Sequence, residues 1–557
     1  MIEQQARKIV DEYVAKYRPL DLEMRRTWYE YDTTGNKDAS NRLAKIELDI
    51  RQLNSDPIRF AELKSLYKDK GKVEDVKLRR ELEVVFLRHL PNQVSADRLK
   101  ELTKLERVLQ ETFNDYRPSV DGKKLTPVEA DHILSDSTDN SLLEKVWKAQ
   151  KMVAPLLEDN FRNLVKLRNN IATDLGFDGS VELAAAVGEL DTKLLGSFYN
   201  DVHKATEKPF KRLKEQYIDP RLAKRYGVSV DEMKPWHYQN GFFQEAPNAI
   251  FGDVDLDKLY AGVDSNYVIK QTVDFYGSLG VDIKRIVENS SLFPKPGKNP
   301  HAVAWYLDPD DSDSPVLIMN LPESGAPKAS DVSTLVHELA HDINYKSVLS
   351  NTSVPYLLSE PTMLTEAVAM LFEHQTLTTE WFRRLGVDEG VAAEASKRVE
   401  LINYVDQIIF LRWASTIYEF ETSFYSDPSQ DIGDLWWECK RKHQFLNRPE
   451  GWKNSDALAK YHIPNVSLLY YSNYAIGRVA NVQFADLLAK QSGQGVQGAS
   501  YFNHKELGEW LMNDFLAQGE LCPWYEFLER STGKSLSVKS WKKYYIDSDL
   551  EARLICD

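Results

Sequence analysis

The stretch Thr334-Leu-Val-His-Glu-Leu-Ala-His-Asp342 constrains this chain more than any other. On a helix, residues four apart lie one above the other. His337 and His341 can therefore offer two imidazoles to one metal ion, while Glu338 reaches a water on that metal. This is the pattern of a zinc hydrolase, set against the plainer possibility of two surface histidines on an amphipathic helix. Catalytic zinc usually takes three protein ligands and keeps a fourth position open, so a further ligand must come from elsewhere in the chain. Glu366 is the candidate. It lies on a separate predicted helix, among the apolar residues of Thr362 to Glu373, where a lone carboxylate needs a partner. The alternative partner is a core lysine or arginine.

Composition narrows the class. A chain of 557 residues with 42% hydrophobic content can bury a large core, either as one very large domain or as two subdomains. A net charge of -15 argues against nucleic acid or an anionic membrane surface as partner. The three cysteines, Cys439, Cys522 and Cys556, lack Cys-x-x-Cys spacing, so neither a disulfide framework nor a thiolate zinc site is indicated. No run approaches the roughly 20 apolar residues that span a bilayer. The chain as it stands reads as soluble, without an export signal. A periplasmic or secreted protein whose leader has been removed would look the same, so the compartment stays open.

Apolar residues recur at helical spacing along most of the chain, from Ile9-Val10-Tyr13-Val14-Tyr17 onward. Pro118 to Pro127 reads as a linker, Leu143 to Leu175 as one or two long helices, and Asp219-Pro220 to Gly227 as the break of the next. Asp255 to Gly277 is expected to be helical. Pro235 to Gln244 mixes aromatic and polar residues, as either a cleft wall or a core element would. The single hairpin expected joins His301-Ala-Val-Ala-Trp-Tyr-Leu307 to Val316-Leu-Ile-Met-Asn-Leu321, just before the metal helix, whose N-cap would be Ser330 or Asp331. A strand edge there could pair with an extended peptide. Tyr474 and His462, in a tyrosine- and histidine-rich segment, are candidates to stabilise charge on a former carbonyl oxygen, against the commoner role of packing residues.

Five segments together resemble the angiotensin-converting-enzyme family of zinc peptidyl dipeptidases. His301-Ala-Val-Ala-Trp305 is similar to the family's His-Ala-Ser-Ala-Trp strand, and His337-Glu-Leu-Ala-His341 resembles its zinc motif. Glu366 falls within about one residue of the third-ligand position. Lys460-Tyr-His-Ile-Pro464 and Tyr470-Tyr-Ser-Asn-Tyr474 are similar to the two segments that follow in the family. The order and approximate separations match, and looser similarity covers most of the chain.

The resemblance implies a mainly α fold: a large helical metallopeptidase with a deep central cleft between two subdomains and a small β-hairpin beside the zinc helix. Residues 1–557 would form one metallopeptidase domain, with 1–115 as a helical lid region and the active-site core at 300–475. It further implies one zinc per chain on His337, His341 and Glu366, Glu338 as general base and acid, and Tyr474 as oxyanion donor. His462 and His301 would hydrogen-bond the substrate, and the strand at Ala302 and Ala304 would bind its backbone. Lys460 and Tyr471 would hold the C-terminal carboxylate, with Gln239, one position out of register, as the nearest match to a third contact. Substrates would be oligopeptides, and a monomer is expected.

The sequence also departs from the family. Asn473 replaces a chloride-binding arginine, which leaves chloride activation doubtful. Met370 replaces an aspartate that orients a zinc histidine, with Glu373 one turn further on as a possible substitute. The spacing from His462 to Tyr474 is two residues longer than in the family. The leading expectation is a peptidyl dipeptidase. A helical zinc oligopeptidase that cuts internally is the nearest alternative, and a catalytically silent peptide- or partner-binding scaffold is the alternative of another class.

Overall fold

The computed structural model describes residues 1–557 except 253–255, 362, 495–498 and 557. It is mainly α-helical, with two short antiparallel hairpins among the described residues. No described helix is long and apolar enough to cross a membrane. The chain divides into two compact units. One comprises Met1–Gln93, Asp255–Lys397 and Gly477–Leu536, the other Val94–Val254, Arg398–Ile476 and Ser537–Asp557.

In the first unit the helix Ala329–Ser350 carries the His-Glu-x-x-His stretch. Val332, Leu335, Val336, Leu339, Ala340 and Ile343 are all at most 1% exposed, so the buried face fixes how the helix is rotated. The Tyr276 hydroxyl donates to the Val336 carbonyl at 2.8 Å from the helix Ser265–Ser278. The helix begins two to three residues earlier than expected. Lys328 is its N-cap, and Asp331 accepts from the Lys328 N–H at 2.9 Å, closing the first turn from inside.

The expected hairpin is present as Val303–Tyr306 paired with Pro315–Ile318, with Ala304 opposite Leu317. The N-terminal helix Ile2–Thr34 clasps it. Arg25 pairs with Asp21 and Glu360, its guanidinium lies 3.9 Å from the Tyr306 ring centroid, and its carbonyl accepts from the Trp305 indole. The Tyr306 hydroxyl donates to Glu360 at 2.6 Å. At the end of this helix, Gly35 adopts a φ of 65°, and a Cβ there would stand 2.6 Å from the Gly297 carbonyl oxygen. Glycine alone permits that approach of two backbones.

Three segments differ from expectation. Pro118 to Pro127 contains a second small hairpin, Ser119–Val120 with Lys123–Lys124, too short for a periodicity signal. Asp219-Pro220 does not break the preceding helix. The chain runs from Thr192–Leu213 through a wider π turn into Asp219–Tyr226, where Pro220 sits in the first turn and needs no N–H partner. The break comes only at Gly227, with φ 65°. The helix expected from Asp255 begins at Ser265, after a short 3-10 turn at Leu256–Tyr260; the expected start itself lies outside the described residues.

Candidate metal centre

The helix Thr365–Glu373 packs against the Ala329–Ser350 helix and brings Glu366 to the two histidines. Thr362, where this helix was expected to start, lies outside the described residues. The His337 and His341 Nε2 atoms are 3.3 Å apart, and Glu366 lies 3.5 Å from the first and 3.8 Å from the second. Donor atoms about 2.0–2.2 Å from a tetrahedral zinc stand roughly 3.3–3.5 Å from each other, which is close to this triangle.

The opposite ring nitrogens are already engaged. His337 Nδ1 is 2.9 Å from Glu373 and His341 Nδ1 is 2.8 Å from the Thr365 hydroxyl. A proton on each Nδ1 leaves both Nε2 lone pairs facing one another, an arrangement that a shared cation stabilises. The donor set therefore fits zinc.

Electrostatics show how strongly the two carboxylates favour positive charge at this triangle, where a proton on His337 competes with a metal ion. Burial alone would depress His337, but Glu366 and Glu373 outweigh it and hold the imidazole up to about 10. Burial, with charge on His337, pushes His341 down to about 4. Glu366 is held below its usual value: the two histidines overcome the opposing effect of burial.

Glu338 follows His337 and turns toward the hairpin, where its carboxylate accepts from the Ala304 N–H at 2.8 Å. Burial raises its pKa. A carboxylate of raised basicity, held by one backbone donor beside a metal site, is suited to taking and returning a proton. Asp342, on the next turn, is fully buried, and burial together with the Glu338 charge pushes its carboxyl well above the usual range. Ala304 is buried at 7%, Ala302 is partly buried and His301 is exposed.

The second unit holds the other expected residues. The His462 ring centroid lies 5.1 Å from that of Tyr471 and 6.3 Å from that of Tyr474. Burial and the nearby Lys460 depress His462 to about 4, so its ring is neutral. Lys460 donates to the Gln244 side-chain oxygen at 2.6 Å and lies 5.8 Å from the Tyr471 ring centroid. Gln239 is engaged elsewhere. Its amide nitrogen donates to the Ser135 carbonyl, and its oxygen accepts from the Ala249 N–H at 2.8 Å. The glutamine beside Lys460 is Gln244.

The Pro235–Gln244 segment serves both expected purposes. Trp236, His237, Tyr238 and Phe243 are buried in core, whereas Gln239 to Phe242 and Gln244 line a pocket. Thr365 and Gln244 were missed as site residues. Thr365 adjoins the expected ligand Glu366, and Gln244 closes the mixed aromatic and polar segment Pro235–Gln244; these were the available signals.

The peptidase M2 family model, described as angiotensin-converting enzyme, matches residues 1–548. The chain belongs to the angiotensin-converting enzyme family. It is 21% identical over 438 residues to the angiotensin-converting enzyme of Sus scrofa, a match covering 73% of this chain and 32% of that protein. The enzyme of Rattus norvegicus is 23% identical over 321 residues, covering 54% of this chain and 23% of the relative. An inactive angiotensin-converting enzyme-related protein of Caenorhabditis elegans is 19% identical over 446 residues, covering 73% and 48%. The matches therefore span less than half of each of these relatives. Membership supports a zinc metallopeptidase hydrolase, and His337, His341 and Glu366 form the cluster of described residues that could hold the metal.

Proposed function

We propose that the chain is a zinc-dependent peptidyl dipeptidase that releases C-terminal dipeptides from oligopeptides. The observation that carries the reading is the pairing of a three-donor site with Glu338, a base of raised pKa fixed by the Ala304 N–H. Bound there, zinc would supply a Lewis acid that polarises the scissile carbonyl and acidifies water. Glu338 takes the water proton and delivers it to the leaving amine. Glu373 and Thr365 hold the two imidazoles so that Nε2 faces the donor triangle. Tyr474 donates to the developing oxyanion, and His462 and His301 hydrogen-bond the substrate. Lys460, with Gln244 beside it and Tyr471 nearby, anchors the free carboxylate that limits cleavage to two residues from the end. Gln239 has no part in that anchor.

Metal analysis coupled to digestion of one ten-residue peptide, with products identified by mass spectrometry, tests this. Stepwise loss of two residues from the C-terminus is expected, abolished by chelation. Internal cuts would replace the reading by a helical zinc oligopeptidase. The inactive nematode relative gives specific weight to a silent peptide-binding scaffold. Absence of bound metal and of chelator-sensitive cleavage would establish that alternative.

A further inference from the structure

A buried carboxylate of the second unit, Glu421, takes no part in the peptide chemistry. It is 5% exposed, on the helix Glu389–Ser426, and it accepts from the Leu469 N–H at 3.3 Å. Arg168, on the helix Ala154–Asp174, favours its charge, but that guanidinium hydrogen-bonds to Glu106 and to the Tyr425 hydroxyl, each at 2.9 Å. Burial pushes the Glu421 carboxyl up to about 8, against both the Leu469 N–H and Arg168. An apolar side chain of similar length would fill this place without the cost of burying a charge.

The residue it holds is strained. Leu469 is 2% exposed and has a φ of 66°. Left-handed backbone is uncommon for a bulky side chain and persists only where the surroundings hold it. Leu469 lies just before the helix Tyr471–Ser492, and its carbonyl accepts from the Ser472 N–H at 2.9 Å in the first turn. The Tyr199 hydroxyl reaches the Ser472 hydroxyl at 3.1 Å. The conformation of Leu469 therefore sets the direction in which this helix starts, and with it the two tyrosines of its first turn. Tyr471 is also held by packing: it is 6% exposed, with the Phe410 and Trp413 ring centroids 6.0 and 6.1 Å from its own. Tyr474 is only partly buried, so its place depends more on the backbone.

We infer that Glu421 is a positioning residue for Tyr474: by holding the Leu469 N–H it fixes the left-handed turn that aims the start of the helix. This deepens the peptidase reading and rests on Tyr474 as the oxyanion donor. Glu421→Met and Glu421→Gln in the full chain separate this role from packing. Methionine has similar length but offers the N–H no oxygen, whereas glutamine keeps one.

Loss of an oxyanion donor costs about 10²–10³-fold in kcat and misplacement costs less, so Glu421→Met should lower kcat about tenfold with KM changed less than about twofold. Its thermal midpoint should not fall, and Glu421→Gln should keep wild-type kcat. Leu469→Gly added to Glu421→Met should restore most of kcat, because glycine adopts positive φ unaided. Amide hydrogen exchange over residues 466–476, which needs no turnover, should quicken in Glu421→Met and not in Glu421→Gln. Wild-type kcat in Glu421→Met would overturn the assignment and leave the peptidase reading standing. Loss of kcat together with thermal stability, without recovery by Leu469→Gly, would assign Glu421 to packing instead. A wild-type chain that cleaves no peptide would overturn the peptidase reading and this assignment with it.

Discussion

His337 and His341 stand one turn apart on the 22-residue helix Ala329–Ser350, whose opposite face is sealed in core. Lys460, by contrast, follows a four-residue 3-10 turn, and its partner Gln244 ends a segment in which Gln239 and Phe243 both have positive φ, at 57° and 55°. The first site inherits its geometry from a repeating backbone. The second depends on individual torsions that no repeat specifies. Substitutions in the first region should therefore act on chemistry and metal retention with little local adjustment, and those in the second on ligand affinity.

The largest effect is expected from Glu338→Gln. General acid–base groups contribute about 10²–10⁴-fold, so peptide turnover should fall by at least that order while zinc content, measured by elemental analysis, stays at one per chain. Wild-type rates would remove Glu338 from the mechanism. Loss of zinc together with activity would show that its bond to Ala304 maintains the helix–hairpin arrangement instead.

Glu373→Gln should follow. The carboxylate 2.9 Å from His337 Nδ1 fixes the tautomer, and removal of such a partner typically lowers metal affinity about 10–100-fold, readable by competition with a chromogenic chelator. Unchanged affinity would mean that Thr365 and packing suffice to orient the rings.

Much of this region was legible from sequence, because helical spacing alone places His337, His341 and Glu338. The position of Glu373, seven residues after Glu366, puts it on the same helix face two turns on. Its choice of His337 was not legible, because the packing of two helices decides which imidazole it meets. The overall helical architecture was readable for the same reason. The Ser119–Val120 and Lys123–Lys124 hairpin was not, being too short to show a period.

In the second region, Lys460→Ala should weaken cleavage of free-carboxylate peptides by about 10–100-fold, the range of a hydrogen bond to a charged group, and leave C-terminally amidated ones nearly unchanged. Equal losses on both would discard the carboxylate anchor. Burial pushes Lys460 down to about 8, opposed by Glu245 and Asp131. Its ammonium is present below that value and lost above it. Carboxylate affinity should accordingly hold at lower pH and decline as pH rises past about 8, and a bound carboxylate, favouring the protonated form, should move that decline upward. Lys460→Arg, whose charge persists, should remove the decline.

The smallest effect sharpens the comparison most. The family resemblance points to Gln239 as the glutamine beside the carboxylate, but the backbone is left-handed at Gln239 and again at Phe243, so the segment follows no regular repeat. Position in sequence there no longer maps onto position in the pocket. Gln239 instead ties this loop to the Ser135 carbonyl and the Ala249 N–H. Gln239→Ala should therefore change dipeptide affinity less than about twofold while lowering thermal stability by roughly 1–3 kcal/mol through the buried groups it leaves unpaired. Gln244→Ala should do the reverse: it frees the Lys460 ammonium from its neutral partner and removes one donor from the carboxylate site. If Gln239→Ala weakened dipeptide binding more than Gln244→Ala, linear register would be the better guide to this pocket after all, and the torsional account of the loop would fall.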